Sequence, residues 1–304
     1  MSALVNTAND DFVAFREVDE PVAASDEAIV EVDAFSLNRG ELTLMRTRPD
    51  GWRPGQDIAG TIVAAAADGS GPREGARVVG LVEGAGWAKR VAVKTSRLAE
   101  LPDTVSPDVA ATLPIAGLTA LRTLRLGGSL LGRRVLITGA DGGVGRFAVQ
   151  LAAGSGARVT AIAKSEHEAS LREIGAQRVA PAWDRAGSGF DLILESAGGD
   201  SLEKAIGAVA PGGTIVLFGN SSATDSTISL TRFFGHENAR IVTFFSYATA
   251  PDEIGRDLDT LVQMVAAGAL RPHVASKASW HDFPRVATAL KERKLSGKAV
   301  FVVD

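Results

Sequence analysis

Val135-Leu136-Ile137-Thr138-Gly139-Ala140-Asp141-Gly142-Gly143-Val144-Gly145 runs from an apolar, β-branched stretch into a glycine cluster. Beyond it, Val144, Phe147, Ala148 and Leu151 fall on one face of a helix. Strand, tight turn and helix in that order predict a cradle for a dinucleotide phosphate. The glycines let the backbone turn sharply and let a pyrophosphate approach where a Cβ would intrude. The first helical turn adds free N–H groups and the positive end of the helix dipole. Ala140, Asp141, Gly142, Gly143 and Val144 are therefore the predicted cofactor-cradle residues, with an ordinary strand-to-helix turn as the competing reading.

Outward from this turn, strands and helices alternate. Strand candidates are 135–138, 159–163, 178–180, 191–195, 214–218 and 241–245, with helices at 146–154, 166–174 and 201–209 between the first pairs. Alternation of this kind requires parallel pairing with right-handed crossovers, a doubly wound α/β sheet. Helices are also expected over 108–125, 252–267 and 283–294, and a closing strand over 297–303. Before about residue 112 the chain reads as short strands separated by Gly and Pro, which suggests a small β-rich barrel or sandwich.

The 304 residues suffice for two domains. A net charge of −4 argues against nucleic-acid or anionic-membrane partners, and the basic stretch between Arg122 and Arg134 is too dilute to reverse that. There is no cysteine, which excludes disulfides and zinc–thiolate sites. The four histidines (His167, His236, His273, His281) are widely spaced and form no ligand pattern, so no metal site is expected. The start of the chain has no signal-peptide pattern and no apolar run reaches spanning length; a cytoplasmic location is the expectation.

Cofactor preference turns on the end of the second strand of the parallel sheet. An acid there holds the 2′-hydroxyl of NAD, whereas a cation accepts the 2′-phosphate of NADP. Lys164 and Ser165 occupy that edge, which favours NADP, although a solvated strand-end lysine reads the same way. Glu166 and Glu168 are explained by the start of a helix, in Ser165-Glu166-His167-Glu168. Two further strand ends, Glu195-Ser196-Ala197-Gly198-Gly199 and Phe218-Gly219-Asn220-Ser221, place small residues at the carboxyl edge where ligands of open sheets lie. Ser196, Gly198, Phe218 and Gly219 are therefore candidate cofactor contacts, with turn glycines as the competing reading. Phe244 and Phe245 end the last strand, either as core or as a wall beside the nicotinamide.

The stretch Thr138-Gly139-Ala140-Asp141-Gly142-Gly143-Val144-Gly145-Arg146-Phe147-Ala148-Val149-Gln150-Leu151-Ala152 resembles the cofactor turn of the medium-chain dehydrogenase/reductase superfamily, in particular its zinc-free quinone oxidoreductase branch. Gly55-Gln56-Asp57-Ile58-Ala59-Gly60, Leu113-Pro114-Ile115-Ala116-Gly117-Leu118-Thr119-Ala120, Ala210-Pro211-Gly212-Gly213-Thr214 and Gly297-Lys298-Ala299-Val300 resemble later signatures in the right order. The resemblance implies a GroES-like catalytic domain over 1–112, a Rossmann domain over 113–266 and a return to the catalytic domain over 267–304, with a cleft between the domains. It also implies NADPH as hydride donor, without zinc or flavin, Lys298 near the cofactor and Asn38 as the substrate-side asparagine. The chain departs from the pattern in Ser36-Leu37-Asn38-Arg39-Gly40-Glu41, which lacks the proline and has Glu41 in place of Asp. It also has Ala182 or Trp183 where a tyrosine often supports the adenosine phosphate, and Gln56, a poor zinc ligand, in place of a histidine.

Alcohol–carbonyl interconversion develops an alkoxide that a Lewis acid stabilises by several kcal/mol. Tyr247, the only tyrosine, carries no acid motif. A conjugated acceptor spreads incoming charge over its own π-system, and hydrogen-bond donors then suffice. The expected activity is NADPH-dependent reduction of a quinone or other conjugated carbonyl, with Asn38 donating to the acceptor oxygen and solvent supplying the proton. A 2-enoyl thioester or 2-alkenal reductase is one alternative, with the loops at 38–52 and 232–238 lining the acceptor pocket. A non-catalytic nucleotide-binding protein on the same fold is the other. An edge strand at 241–245 pairing with its copy, and the resemblance, favour a homodimer.

Overall fold

The computed structural model describes residues 1–7, 12–246 and 253–304. The chain forms two units, Met1–Leu118 with Thr249–Asp304, and Thr119–Ala248. In the first unit a hairpin of β1 (Ser2–Asn6) and β2 (Val13–Glu17) precedes the long β3 (Glu27–Leu37). Along β3, Ala28, Val30, Val32 and Ala34 are buried while Ile29, Glu31 and Asp33 are more open, the two-residue alternation of a strand with one face on a core. There follow α1 (Arg39–Thr47), β4 (Asp57–Ala64), β5 (Arg77–Leu81), β6 (Arg90–Lys94), β7 (Leu98–Glu100) and the short α2 (Pro107–Ala110).

Helix α1 corrects the sequence expectation of a loop over 38–52. Its buried residues, Glu41, Leu42 and Met45, lie on one face, and the Glu41 carboxylate accepts the backbone N–H of Asn38 at 2.8 Å, satisfying a donor at the helix start. The single helix expected over 108–125 is broken instead. Pro114 lacks an N–H and cannot continue a regular ladder. A π-type turn over Leu113–Gly117 separates α2 from α3 (Leu118–Arg125).

The second unit continues with β8 (Arg134–Thr138), α4 (Gly143–Gly154), β9 (Arg158–Ile162), α5 (Glu168–Glu173), β10 (Arg178–Ala180), β11 (Phe190–Glu195), α6 (Asp200–Ile206), β12 (Val209–Leu217) and β13 (Arg240–Thr243). All pairings are parallel, in the order β10-β9-β8-β11-β12-β13. Numbered within the sheet this is 3-2-1-4-5-6, the doubly wound Rossmann order, which reverses direction beside β8. The last strand ends at Thr243, two residues short of the expected end, so Phe244 and Phe245 lie beyond it.

The chain returns to the first unit as α7 (Ile254–Ala266), β14 (Val274–Ser279), α8 (Phe283–Lys291) and β15 (Lys298–Val302). Asp252, expected to begin α7, and Tyr247 lie outside the described residues. β15 pairs in parallel with β14 and antiparallel with β3, giving a sheet ordered β14-β15-β3-β4-β5-β7 with β6 also on β3. Its core includes an aromatic cluster. The Phe35 ring lies 5.2 Å from Phe301 and 5.5 Å from Trp87, and Phe283 bridges Trp87 and Phe301 at 4.6 and 5.0 Å. Among the described residues no helix is long and apolar enough to cross a membrane.

Candidate active site

The glycine turn of the second unit is built for close approach. Gly142 precedes α4, and Gly143, Val144 and Gly145 open it, so their N–H groups have no intrahelical acceptor. A Cβ on Gly145 would strike the Gly139 carbonyl and come within 2.5 Å of Ala140 Cα, so only glycine lets the helix sit this close to the strand end. Ala140 is buried, with its N–H bonded to Ile162 O at 3.1 Å. The turn thus brings the free donors of the first helical turn to the carboxyl edge of the sheet, as a pyrophosphate needs.

The neighbouring strand ends carry the rest of this edge. Ser196 donates its backbone N–H to Thr138 Oγ1 at 2.9 Å and its hydroxyl lies 3.2 Å from Thr138 O, tying the ends of β8 and β11 together. Gly198 has φ +70, the left-handed region, and a side chain there would run into Asn220. A Cβ on Gly219 would come within 2.8 Å of Ser196 O. Phe218 is half-buried, Phe244 is buried, and Phe245 is 57% exposed. Sequence reasoning missed Glu195, fully buried at the end of β11. Its carboxylate accepts the N–H groups of Ala197 (2.6 Å) and Gly198 (3.0 Å) and the Ser201 hydroxyl (2.8 Å). It fixes the loop that carries Ser196 and Gly198. Burial pushes its carboxyl above the usual range, against these three hydrogen bonds. A lone acid closing the apolar run Leu192-Ile193-Leu194 was the available signal.

At the end of β9, Lys164 is mostly exposed and lies 3.9 Å from Glu166, with Ser165 beside it. His167 Nε2 lies 3.5 Å from Asp141 Oδ2 and 3.4 Å from Glu166 Oε1. Arg146 turns inward, its Nε donating to Asp141 O at 3.1 Å and its Nη2 to Ser170 Oγ at 3.2 Å. Neither His167 nor Arg146 was singled out from sequence, because both meet Asp141 only through the folded turn.

In the first unit, Asn38 and Lys298 belong to a buried polar cluster centred on Asp57. Lys298 Nζ lies 3.1 Å from Asp57 Oδ2 and donates to Asn38 Oδ1 at 2.5 Å; the lysine is 3% exposed and the aspartate 0%. Asn38 Nδ2 donates to Asp57 Oδ2 at 2.8 Å and to Glu41 Oε2 at 3.2 Å. A lysine on the oxygen and oxygens of two acids on the nitrogen fix which way the amide points. Ser36 Oγ donates to Asp57 Oδ2 at 2.6 Å, and the Ile115 N–H, released by the turn at Pro114, donates to Asp57 Oδ1 at 2.8 Å. Glu41 Oε1 accepts the Gln56 N–H at 3.0 Å. Burial raises the Glu41 carboxyl to about 8, with the Asp57 carboxylate adding to the rise against the Asn38 and Lys298 donors. Asn38 therefore enters the site with its amide nitrogen engaged by both Asp57 and Glu41. Among the described residues no group of three His, Cys, Asp or Glu side chains could hold a metal ion.

Residues 143–266 match the family model for zinc-binding dehydrogenases. Acryloyl-coenzyme A reductase of Metallosphaera sedula is 27% identical, over 99% of both chains. Erythronolide synthase EryA2 of Saccharopolyspora erythraea is 33% identical over 86% of this chain, which spans only 8% of that synthase. Two solved structures share the fold. One is the mycobacterial protein Rv1454c complexed with NADPH, with TM-score 0.90 and 21% identity over 99% of this chain and 100% of that one. The other is the quinone oxidoreductase from Coxiella burnetii, with TM-score 0.86 and 22% identity over 100% of this chain and 99% of that one.

Proposed function

We propose that the chain is an oxidoreductase of the medium-chain dehydrogenase/reductase superfamily and that it reduces a quinone or another conjugated carbonyl with NADPH, a reading supported by the match of residues 143–266 to the zinc-binding dehydrogenase model and by the likeness to acryloyl-coenzyme A reductase. The observation that carries this reading is the glycine turn, where Gly145 lets α4 start hard against the end of β8 and the free N–H groups of the first helical turn suit a pyrophosphate. Bound there, NADPH supplies a hydride. The chain's own work is to hold the cofactor and orient the acceptor.

Cofactor binding falls to Ala140, Asp141, Gly142, Gly143 and Val144 at the turn, Lys164 and Ser165 at the ribose edge, and Ser196, Gly198, Phe218 and Gly219 at the neighbouring strand ends. Phe244 shields the same edge as a buried ring, and Phe245 is left to the surface. Asn38 donates to the acceptor oxygen by surrendering its longer bond, to Glu41 at 3.2 Å. The 2.8 Å bond to Asp57 and the Lys298 contact then keep the amide oriented. Lys298 acts through Asn38 as a positioning residue. Solvent returns the proton, as the delocalised oxyanion needs no dedicated acid. We also propose a cytoplasmic homodimer joined along β13, an edge strand of the parallel sheet.

A second reading, reduction of a 2-enoyl thioester, is favoured by the end-to-end match to acryloyl-coenzyme A reductase. One panel tests both: NADPH oxidation with quinones, enones and enoyl thioesters, for the wild type and Asn38→Ala. Turnover on one acceptor class, reduced about 10-fold or more in the variant, is expected. Tight NADPH binding with no turnover on any acceptor would reject the enzyme in favour of a nucleotide-binding protein.

A further inference from the structure

We propose that His167 makes the choice between NADPH and NADH depend on pH: its cationic form adds a positive charge beside Asp141 and Glu166 that favours a 2′-phosphate, and its neutral form takes that charge away. The inference rests on the cofactor reading above and concerns the same edge.

Asp141 is an acid inside the phosphate turn, one residue before the helix cap. That is a costly place for negative charge when the ligand is itself an anion. Its carboxylate faces His167 at 3.5 Å, and the same imidazole nitrogen lies 3.4 Å from Glu166. The His167 ring is 20% exposed and Asp141 27%, so the pair is partly screened from water and stays within reach of a ligand. The His167 backbone is held by the Ser170 hydroxyl, which donates to its carbonyl at 3.0 Å. Histidine is the side-chain type whose charge ordinarily changes within the physiological pH range.

The other charges facing it are fixed in sign. Lys164 pairs with Glu166 at 3.9 Å, and Arg146 packs from α4 against the Asp141 backbone and Ser170. Glu168 and Arg172 of α5 engage each other at 2.9 Å. The two acids and two bases closest to the ribose edge therefore cancel, and His167 decides whether the edge is neutral or positive. The ribose at the end of the second strand carries the phosphate in NADPH and a hydroxyl in NADH. NADPH, which carries an extra phosphate at that edge, senses the change more strongly than NADH.

The test is the dissociation constant of each cofactor for the full chain, measured by titration from about pH 5.5 to 8.5 at constant ionic strength, in the wild type, His167→Gln and Asp141→Asn. The 2′-phosphate ionises in the same range, so the comparison of wild type with His167→Gln isolates the imidazole. In the wild type, the preference for NADPH over NADH is expected to fall about fivefold more steeply with rising pH than in His167→Gln. Asp141→Asn is expected to raise the NADPH preference at the alkaline end by a similar factor. If His167→Gln follows the wild-type course, the proposal is overturned while the cofactor reading stands. If neither cofactor binds at any pH, the cofactor reading itself fails and the proposal falls with it.

Discussion

Glu41 is a carboxyl group in surroundings that favour its neutral form. Burial and the Asp57 carboxylate outweigh the donors around it and raise it to about 8. A carboxyl that titrates near 4.5 when unfolded and near 8 when folded binds more protons in the native state between those values. Its contribution to stability is complete below about pH 4.5 and is lost as pH rises through about 8. Melting followed from pH 6 to 9.5 should show that loss. Glu41→Gln should abolish this dependence while starting about 1–3 kcal/mol less stable at pH 6, because its amide turns a donor toward the Gln56 or Asn38 N–H. An unchanged pH slope in the variant would refute the assignment. The cluster was only partly legible in the sequence. Asn38, Lys298 and Glu41 stood out by resemblance, but Asp57 registered only as the neighbour of a missing zinc ligand. Its partners lie 21 residues away at Ser36 and 241 away at Lys298, and no local spacing reveals a bond of that length. Single charges at the starts of apolar runs, Asp57 before Ile58-Ala59-Gly60 and Lys298 before Ala299-Val300-Phe301, were the legible half.

At the scale of elements, β8, the glycine turn and α4 were the most readable part, since β-branched run, glycines and helical spacing agree over one continuous segment. The turn is also the least forgiving part. Gly145→Ala would press a methyl group against the backbone of Gly139 and Ala140, neither of which is a flexible side chain. The expected result is a loss of about 1–3 kcal/mol in denaturant unfolding together with a loss of NADPH binding. Retention of both would mean that the helix need not lie so close. Readability was poorest where tertiary partners override local signals. Helix α1 was missed because its apolar face is short, Leu42 and Met45, and its start depends on a carboxylate that also serves the buried cluster. The break at Pro114 was masked by apolar spacing that continues across it, while the displaced Ile115 N–H found Asp57 instead of a helical carbonyl.

For the whole molecule, the alternation after Arg134 was enough to give the parallel sheet, because right-handed crossovers leave few other arrangements. The β-rich unit was legible only as short strands, since its sheet joins segments from both sides of the second unit. The edge at β13 bears on assembly. Exposed Leu230, Phe234 and Phe245 flank it in sequence, and edge strands left bare invite pairing. Sedimentation should find a dimer for the wild type and a monomer for Thr243→Lys, a substitution at an exposed edge position expected to change stability by less than about 0.5 kcal/mol. A monomeric wild type at micromolar concentration would exclude this contact.

The return of β15 to lie between β14 and β3 has a consequence for biogenesis. During translation, all of Thr119–Ala248 has been synthesised before the ribosome reaches the codons for Lys298–Val302. The middle of the gene can therefore yield a finished module while Ala34–Leu37 of β3 still waits for β15, the Glu27–Glu31 half being already paired with β6, and while the counter-ion for Asp57 is not yet made. At elongation rates of about 5–20 residues per second that wait lasts several seconds. The buried lysine is thus a late-arriving clasp, and the nascent first unit is the part of this chain most in need of a chaperone.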